Sequence, residues 1–499
     1  MRGFAFLLRP LSTLLLLGLG LTLGGCLLGP DYVRPTVPTP ATFRFEPGEA
    51  ADVANAMWWE QFQDPVLNDL IAAALADNKD VKIAAARVDQ FLGQFVTTRS
   101  ALFPQVSAGF EASRQRASIA GLPTLPPGVN PVFNDFRAPL IASWEIDFFG
   151  KVRRQTESAR ASLLATEEGR RATILSLVAS VASAYINLRD LDQQLAIAKA
   201  TTESRAGSVA VFQARFSGGD VSQMELAQSQ SEYEASLATI PQIETQIAHQ
   251  EDALSVLLGQ NPGPILRGRE LMELEVPPVP AGLPSDLLTR RPDLRQAEQN
   301  LIAANALIGA ARALYFPSIS LTGLFGTESG QFSKLFTGPA RIWSYAGSLT
   351  VPIFTAGSIS GQVSQAEAQQ QQALFQYQQA IQTAFQEVED ALISLQKSRE
   401  QLVVEGRQIE ALKTYSRLAR LRYEGGYTSY IEVLDAERSL FNAQLSYTQT
   451  NGVVFTSLIS LYKAMGGGWV IEAERMTGQV MQHGAAAPGT AEAKAEQSQ

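Results

Sequence analysis

One cysteine and two histidines are all that this 499-residue chain holds of the side chains that most often build metal centres and nucleophilic sites. The cysteine, Cys26, stands directly behind a hydrophobic leader. With that thiol committed there, no disulfide, cysteine nucleophile or cysteine-bound metal is left for the folded chain. His249 and His483 lie far apart, which excludes a multi-histidine metal cluster and speaks against a Ser-His-Asp triad. An excess of basic residues is also missing. The net charge is −9, so nucleic acid is not an expected partner. After Leu28 no run of eighteen apolar residues occurs, and no transmembrane helix is expected. Nothing in this inventory suggests an enzyme or a metal site.

What is present begins with the leader. Met1, Arg2 and Arg9 precede an apolar core from Leu11 to Leu23, about 13 residues, too short to span a bilayer and suited to a signal peptide over 1–25. Small residues Gly24 and Gly25 lie before the cut. The run Leu23-Gly24-Gly25-Cys26 resembles the bacterial lipobox, which implies a covalent lipid on Cys26 and no other cofactor. Each buried methylene of such a lipid adds about 0.8 kcal/mol, so three acyl chains anchor firmly. By the same resemblance, Leu27 in place of an Asp implies the outer membrane.

The rest of the chain is written twice. "NKDVKIAAARVDQFLGQFVTTRSALFPQVS" (78–107) overlies "RPDLRQAEQNLIAANALIGAARALYFPSIS" (291–320) at an offset of 213. Farther on the offset becomes 207 and holds: Gly150 meets Gly357, "RFSGGDVSQME" meets "RYEGGYTSYIE", and Gly259 meets Gly466. The repeats are placed at 65–262 and 284–471, joined by a linker over 263–283. A lipid-anchored segment (26–64) precedes them, and a disordered tail (472–499), small and polar in composition, follows.

Each repeat runs in one order. A helical segment (65–102, 284–315) stops at a proline. Two stretches of period two follow, predicted as strands over about 104–116 and 137–149, then 317–327 and 342–354. Val106, Ala108, Phe110, Leu140, Trp144, Ile146, Phe148, Trp343, Tyr345, Leu349, Val351 and Ile353 fall on the apolar faces; Glu111, Glu145 and Asp147 fall on wet ones. Long heptad patterns over 152–215 and 359–422 predict coiled-coil helices of roughly 90 Å. Each ends at a double glycine, Gly218-Gly219 or Gly425-Gly426, and a returning helix follows.

A lipid anchor puts the chain at a membrane, and no helix is left over to cover the sheet. A lipid-facing sheet must close, because open edges strand amides in hydrocarbon. Four strands cannot close, as bacterial barrels begin at about eight. Several chains must share one barrel. The expected fold is α+β: a homotrimeric, 12-stranded transmembrane β-barrel continued by a periplasmic α-helical barrel, with Glu111, Glu145 and Asp147 lining the lumen.

"GPDYVRP", "WWEQFQDPVLNDLI", "RRPDLRQAEQNLIAANALIGAARALYFPSISL" and "LYKAMGGGW" resemble the TolC-type outer-membrane efflux factors in their lipoprotein, OprM/NodT-like branch, across about residues 26–471. The resemblance implies a passive channel in the outer membrane of a Gram-negative cell, exporting small molecules. It also implies a periplasmic adaptor and an inner-membrane RND-type transporter as partners. Family channels close near the second turn, and the matching positions are Tyr423, Ile431, Asp435 and Arg438. Asp435 and Arg438, at i and i+3, are equally a solvated helix pair worth a few tenths of a kcal/mol. The tips, with Arg215, Gly218, Gly219 and Ser222, and Arg422, Gly425, Gly426 and Ser429, are candidate adaptor seats or plain helix-reversing turns. A protein-secretion duct shares this fold. A lipid-anchored coiled-coil adaptor would explain the heptads and Cys26 but not the strands.

Replacing Cys26 by serine is expected to abolish lipidation and leave an uncleaved or mis-sorted precursor. Transport should fall only in part, because the barrel supplies most of the membrane affinity. Metabolic labelling with palmitate checks this, and equal label in both proteins refutes it.

Overall fold

Heptad-spaced apolar residues and the absence of proline carry one helix through 68 residues, α3 (Lys151–Gly218), and a second through 67, α7 (Ser358–Glu424). At 1.5 Å per residue each runs about 100 Å. The computed structural model describes residues 27–45, 57–118, 128, 130–280 and 284–477. In order the chain forms α1 (Pro65–Asp77), α2 (Lys79–Ser100), β1 (Gln105–Ala108), β2 (Glu111–Arg116), β3 (Val132–Ile146), α3 and α4 (Gln223–Leu257). The second half adds α5 (Leu287–Arg290), α6 (Pro292–Ala313), β4 (Ser318–Ser329), β5 (Arg341–Thr350), α7, α8 (Tyr430–Met465) and α9 (Trp469–Met476). Two compact units result, drawn from the described parts of Met1–Thr36, Val88–Ala165 and Ala297–Tyr377, and of Val37–Arg87, Thr166–Gln296 and Gln378–Gln499.

The first unit holds one antiparallel sheet in the order β1/β2, β3, β4, β5. The first predicted strand is broken into two pieces, yet its register does not change: Ala108 faces Leu140 and Glu111 faces Arg137. The cause is Pro139. Gly109 N donates to Pro139 O at 2.9 Å, but a proline has no N–H to return the bond. Strand ends also move. β3 starts at Val132 and stops at Ile146, so Phe148 lies beyond it; β5 stops at Thr350, because Pro352 cannot continue a ladder. Val351 and Ile353 are therefore not strand residues, and Ile353 is 91% exposed.

In the second unit the aromatic motifs form the core. Trp58 stacks on Tyr462 at 5.3 Å, Trp59 meets Trp469 edge-on at 5.3 Å, and Phe62 packs on Phe455. All are buried. Each such ring removes roughly 200 Å² from water, on the order of 5 kcal/mol before entropy. Asp64, fully buried, caps α1 through Val66 N (2.9 Å) and also accepts from Tyr185 Oη (2.7 Å) and Arg269 N (3.1 Å). Residues 472–476, expected to be part of a disordered tail, are helical instead, since α9 buries Trp469 and Ala473 and holds Glu474 against Arg170 and Arg171. Residues 478–499 lie outside the described residues. One stretch of α3 is apolar and long enough to cross a bilayer, but 56% of it is buried inside the protein, as in a core helix.

The predicted helices 65–102 and 284–315 are each broken, at Asn78 and Arg291, which the repeat offset of 213 makes equivalent. Asn78 leaves the helical region (ψ 135°), and its side chain accepts from Asp80 N and Val81 N to start α2. Arg291 is held extended (ψ 121°) because Pro292 follows it. Both side chains then do the same thing. Asn78 Nδ2 donates to Leu257 O at 2.9 Å, and Arg291 Nη1 donates to Ala464 O at 3.0 Å. Each satisfies an orphan carbonyl at the end of a returning helix. Gly259 and Gly466 then turn away at φ +73° and +57°. A Cβ on Gly259 would stand 2.3 Å from Asp77 O, and one on Gly466 would stand 2.4 Å from Arg291 Cγ.

Gly259→Ala should therefore destabilise the protein by about 2 kcal/mol or more, combining left-handed strain with a backbone collision. Gly93→Ala, mid-helix with open space around it, should stabilise by up to about 1 kcal/mol. Thermal unfolding in detergent followed by circular dichroism checks the opposite signs.

Candidate functional site

Register sorts the sheet's side chains into two faces, because cross-strand partners share a face. On one face lie Ala112, Phe136, Ala138, Leu140, Ala142, Trp144, Ile319, Leu321, Phe325, Trp343, Tyr345 and Leu349. This face is bare: Tyr345 is 82% exposed and Trp343 69%, the two rings stacked 5.8 Å apart. The other face carries Glu111, Arg137 and Glu328 in one row, and Glu145 and Ser320 in another. Arg137 bonds Glu328 (3.1 Å) and Asp135 (2.8 Å), and Glu145 pairs with Lys151 at 2.5 Å. Of the three acids expected to line a lumen, Glu111 and Glu145 are on the polar face. Asp147 is not on a strand. It lies past Ile146 and caps α3, accepting from Val152 N (3.0 Å) and Arg153 N (2.8 Å), where a carboxylate suits the helix dipole.

The segment after Cys26 is strapped down. Cys26 itself lies outside the described residues. Arg154, 2% exposed, donates to Leu28 O (2.9 Å), Gly29 O (3.3 Å) and Asp31 Oδ1 (2.8 Å). Asn305 Nδ2 donates to Pro30 O, and Tyr32 and Arg34 both donate to Glu298. Burial, with the Glu298 carboxylate beside it, pushes the Tyr32 phenol up. Two glycines set the closeness: a Cβ on Gly29 would lie 2.3 Å from Gly309 Cα. The motif "GPDYVRP" is thus a packed strap, a role its residues did not disclose.

At the two turns the duplication shows again. Asp220 N donates to Arg215 O and Tyr427 N to Arg422 O, both at 2.9 Å, with Gly219 and Gly426 at φ +83° and +75°. The helix starts differ. Ser222 and Glu225 form a reciprocal capping box, whereas Ser429 makes no side-chain cap and its counterpart Glu432 is drawn to Arg422 (2.7 Å) and Thr428. Of the four candidate closure residues, Ile431, Asp435 and Arg438 form one exposed stripe on α8, and Arg438 Nη2 donates to Asp435 Oδ1 at 3.0 Å. Tyr423 is elsewhere. Half-buried, it packs with Phe212 and Tyr430 (6.0 and 5.2 Å) against the hairpin cluster, and burial raises its phenol. That aromatic trio went unread in the sequence because its members come from three helices.

One half-buried acid lies apart from these sites. Asp190 on α3 packs against Gly452 and receives one bond from Gln194 (2.9 Å), with Oδ1 unpartnered; burial raises it to about 6. Among the described residues no group of three or more His, Cys, Asp or Glu is placed to hold a metal ion.

A bare apolar sheet face with a charged opposite face defines a membrane-embedded sheet, in a chain that also forms long helical hairpins. The profile of the outer membrane efflux protein family matches residues 70–260 and 283–467, one stretch in each repeat. The chain is 37% identical to a probable efflux pump outer membrane protein, TtgC, of Pseudomonas putida, over 92% of this chain and 95% of that one. It is 36% identical to the cation efflux system protein CusC of Escherichia coli, over 90% and 97%. It superposes on the open state of the Neisseria gonorrhoeae MtrE outer membrane channel with TM-score 0.80 at 32% identity, covering 89% of this chain and 99% of that one. The chain belongs to the outer membrane efflux protein family. It is an outer-membrane efflux channel protein, with the protomer fold of the trimeric TolC-like channels.

Asp190 carries a pH signature. Because its folded pKa is raised above the unfolded value, the folded state holds the extra proton between about 4 and 6, and stability falls as pH rises through that window. Asp190→Asn should therefore stabilise the protein at pH 7.5 by roughly 1–3 kcal/mol and be near neutral below pH about 4. Unfolding curves of both proteins across pH 4–8 check it.

Proposed function

We propose that three copies of the chain close one twelve-stranded barrel and form a passive duct for small molecules, catalysing nothing. The carrying observation is the sheet with a bare apolar face and two unpaired edges, β1/β2 and β5. An open edge is untenable in hydrocarbon, and these two edges run in opposite directions, as an antiparallel junction between copies requires. Cys26 carries the lipid, supported by the strap that starts two residues later, at Leu28. Glu111 and Glu145 face the lumen.

A periplasmic adaptor and an RND-type inner-membrane transporter complete the system, with the tips at 215–222 and 422–429 as the adaptor's seats. The cargo is small organic compounds, in keeping with relatives named for toluene and antibiotic efflux. Another relative is named for cations, but the scattered histidines and methionines here supply no ligand series for them.

Light scattering of detergent-extracted protein should give near three times the 54.0 kDa protomer mass, and a stable folded monomer overturns the shared barrel. The exposed stripe of Ile431, Asp435 and Arg438 is proposed to line the closed end, where three copies bring like carboxylates together and need each arginine. Asp435→Ala with Arg438→Ala should raise single-channel conductance in planar bilayers and sensitise cells to vancomycin. Unchanged conductance and tolerance in a normally expressed variant return the pair to an ordinary surface contact.

A further inference from the structure

Charge is segregated across the sheet. Every strand acid, Glu111, Asp135, Glu145 and Glu328, stands on the polar face, where Arg137 is already paired twice. Among the described strand residues, the apolar face carries three charged side chains, and all are arginines: Arg114, Arg116 and Arg341. All three are exposed, and none has an ion pair among the described residues. An unpaired guanidinium on a lipid-facing surface is costly at the midplane and tolerable only near an interface.

Their height is fixed by register. From Ile146 to Phe136 this face of β3 is free of charge. At about 3.3 Å per residue and a strand tilt near 40°, that stretch rises about 25 Å, the height of an apolar barrel band. Ala112 faces Phe136 at its loop end; Arg114 and Arg116 lie two and four residues farther out, about 5 and 10 Å above the band. Arg341 is opposite Thr327, which faces Ala138, one row inside the Phe136 row, and a long side chain there can snorkel outward. Trp343, Tyr345 and Phe325 follow just below as an interfacial aromatic set. In β2 and β5 the arginines sit on the two free edges, at the same end of the sheet.

We propose that Arg114, Arg116 and Arg341 form a binding site for a multiply phosphorylated lipid headgroup of the outer leaflet, one site at each seam between protomers. The inference rests on the shared-barrel reading, which brings the β5 edge of one copy beside the β1/β2 edge of the next. Phosphate is the matching chemistry: guanidinium forks bind it bidentately, and arginine keeps its charge at any relevant pH. Three cationic side chains at one seam match a headgroup with more than one phosphate better than a single-phosphate lipid.

The test reconstitutes the full-length protein in phosphatidylcholine nanodiscs doped with bis-phosphorylated lipid A or its dephosphorylated form, and reads retained lipid by native mass spectrometry. At roughly fivefold per arginine, the variant Arg114→Gln/Arg116→Gln/Arg341→Gln should hold the phosphorylated lipid about 100-fold more weakly. Arg137→Gln, on the opposite face, should not differ from wild type, and the triple lysine variant should recover most of the binding. The dephosphorylated lipid should not distinguish wild type from the glutamine variant. Equal retention of the phosphorylated lipid by wild type and the glutamine variant overturns the site, as does wild-type binding indifferent to phosphate. Oligomeric mass, read in the same native spectra, separates the two readings. Trimers without phosphate preference sink only the lipid site; a wild-type protein that stays a folded monomer sinks the shared barrel. Should the glutamine triple variant fail to assemble, the lysine variant and Arg341→Gln alone, expected near fivefold, decide the matter.

Discussion

A backbone amide in hydrocarbon has no water to bond, and the rest of this protein follows from that constraint. The sheet pairs three of its junctions within the chain and leaves two edges open. Its apolar face is uncovered by design, since large rings such as Trp343 and Tyr345 would bury themselves if water were the solvent. A protein of this kind does not hide its apolar surface inside itself. It places that surface against lipid, and the unpaired edges then demand a second copy. The polar face keeps the acids, with Arg137 among them.

The helical part solves a different problem, how to end very long helices without orphan carbonyls. Gene duplication supplied one answer twice. At equivalent positions an amide side chain in one repeat and a guanidinium in the other reach the same carbonyl of the returning helix, Leu257 in one and Ala464 in the other. The chemistry diverged while the bond stayed. Arg291 needs more company than Asn78: a buried guanidinium must be paired, and Asp293 and Glu387 do this at 2.7 and 2.6 Å. The tips diverged further. Glu225 closes a capping box, whereas Glu432 has left its cap for Arg422, so two turns of like backbone present different surfaces.

Much of the architecture was legible in the residues. The two offsets, the period-two stretches, the heptads and the double glycines are all local patterns, and local backbone preference obeys them. Boundaries failed where a proline or a cap intervened. Pro139 broke a strand whose alternation was intact, Pro352 ended another early, and Asp147, which continues the alternation of β3, is the cap of α3 instead. Tyr423, grouped with Asp435 by motif, is half-buried against Phe212 and Tyr430, whereas Asp435 is exposed.

The sequence by itself determined the class of element at almost every position, the duplication, and which strand face is apolar, because side-chain alternation is a property of one strand. Only the tertiary structure decided what pairs with what. The Arg154 strap joins residues more than 120 apart, the Asp64–Tyr185 bond joins residues 121 apart, and the separation of the strand acids from Arg114, Arg116 and Arg341 appears only once register puts five strand segments on one sheet. Such contacts leave no periodicity in the chain. They exist because folding brings distant groups to hydrogen-bond distance, and burial then makes each missing partner costly.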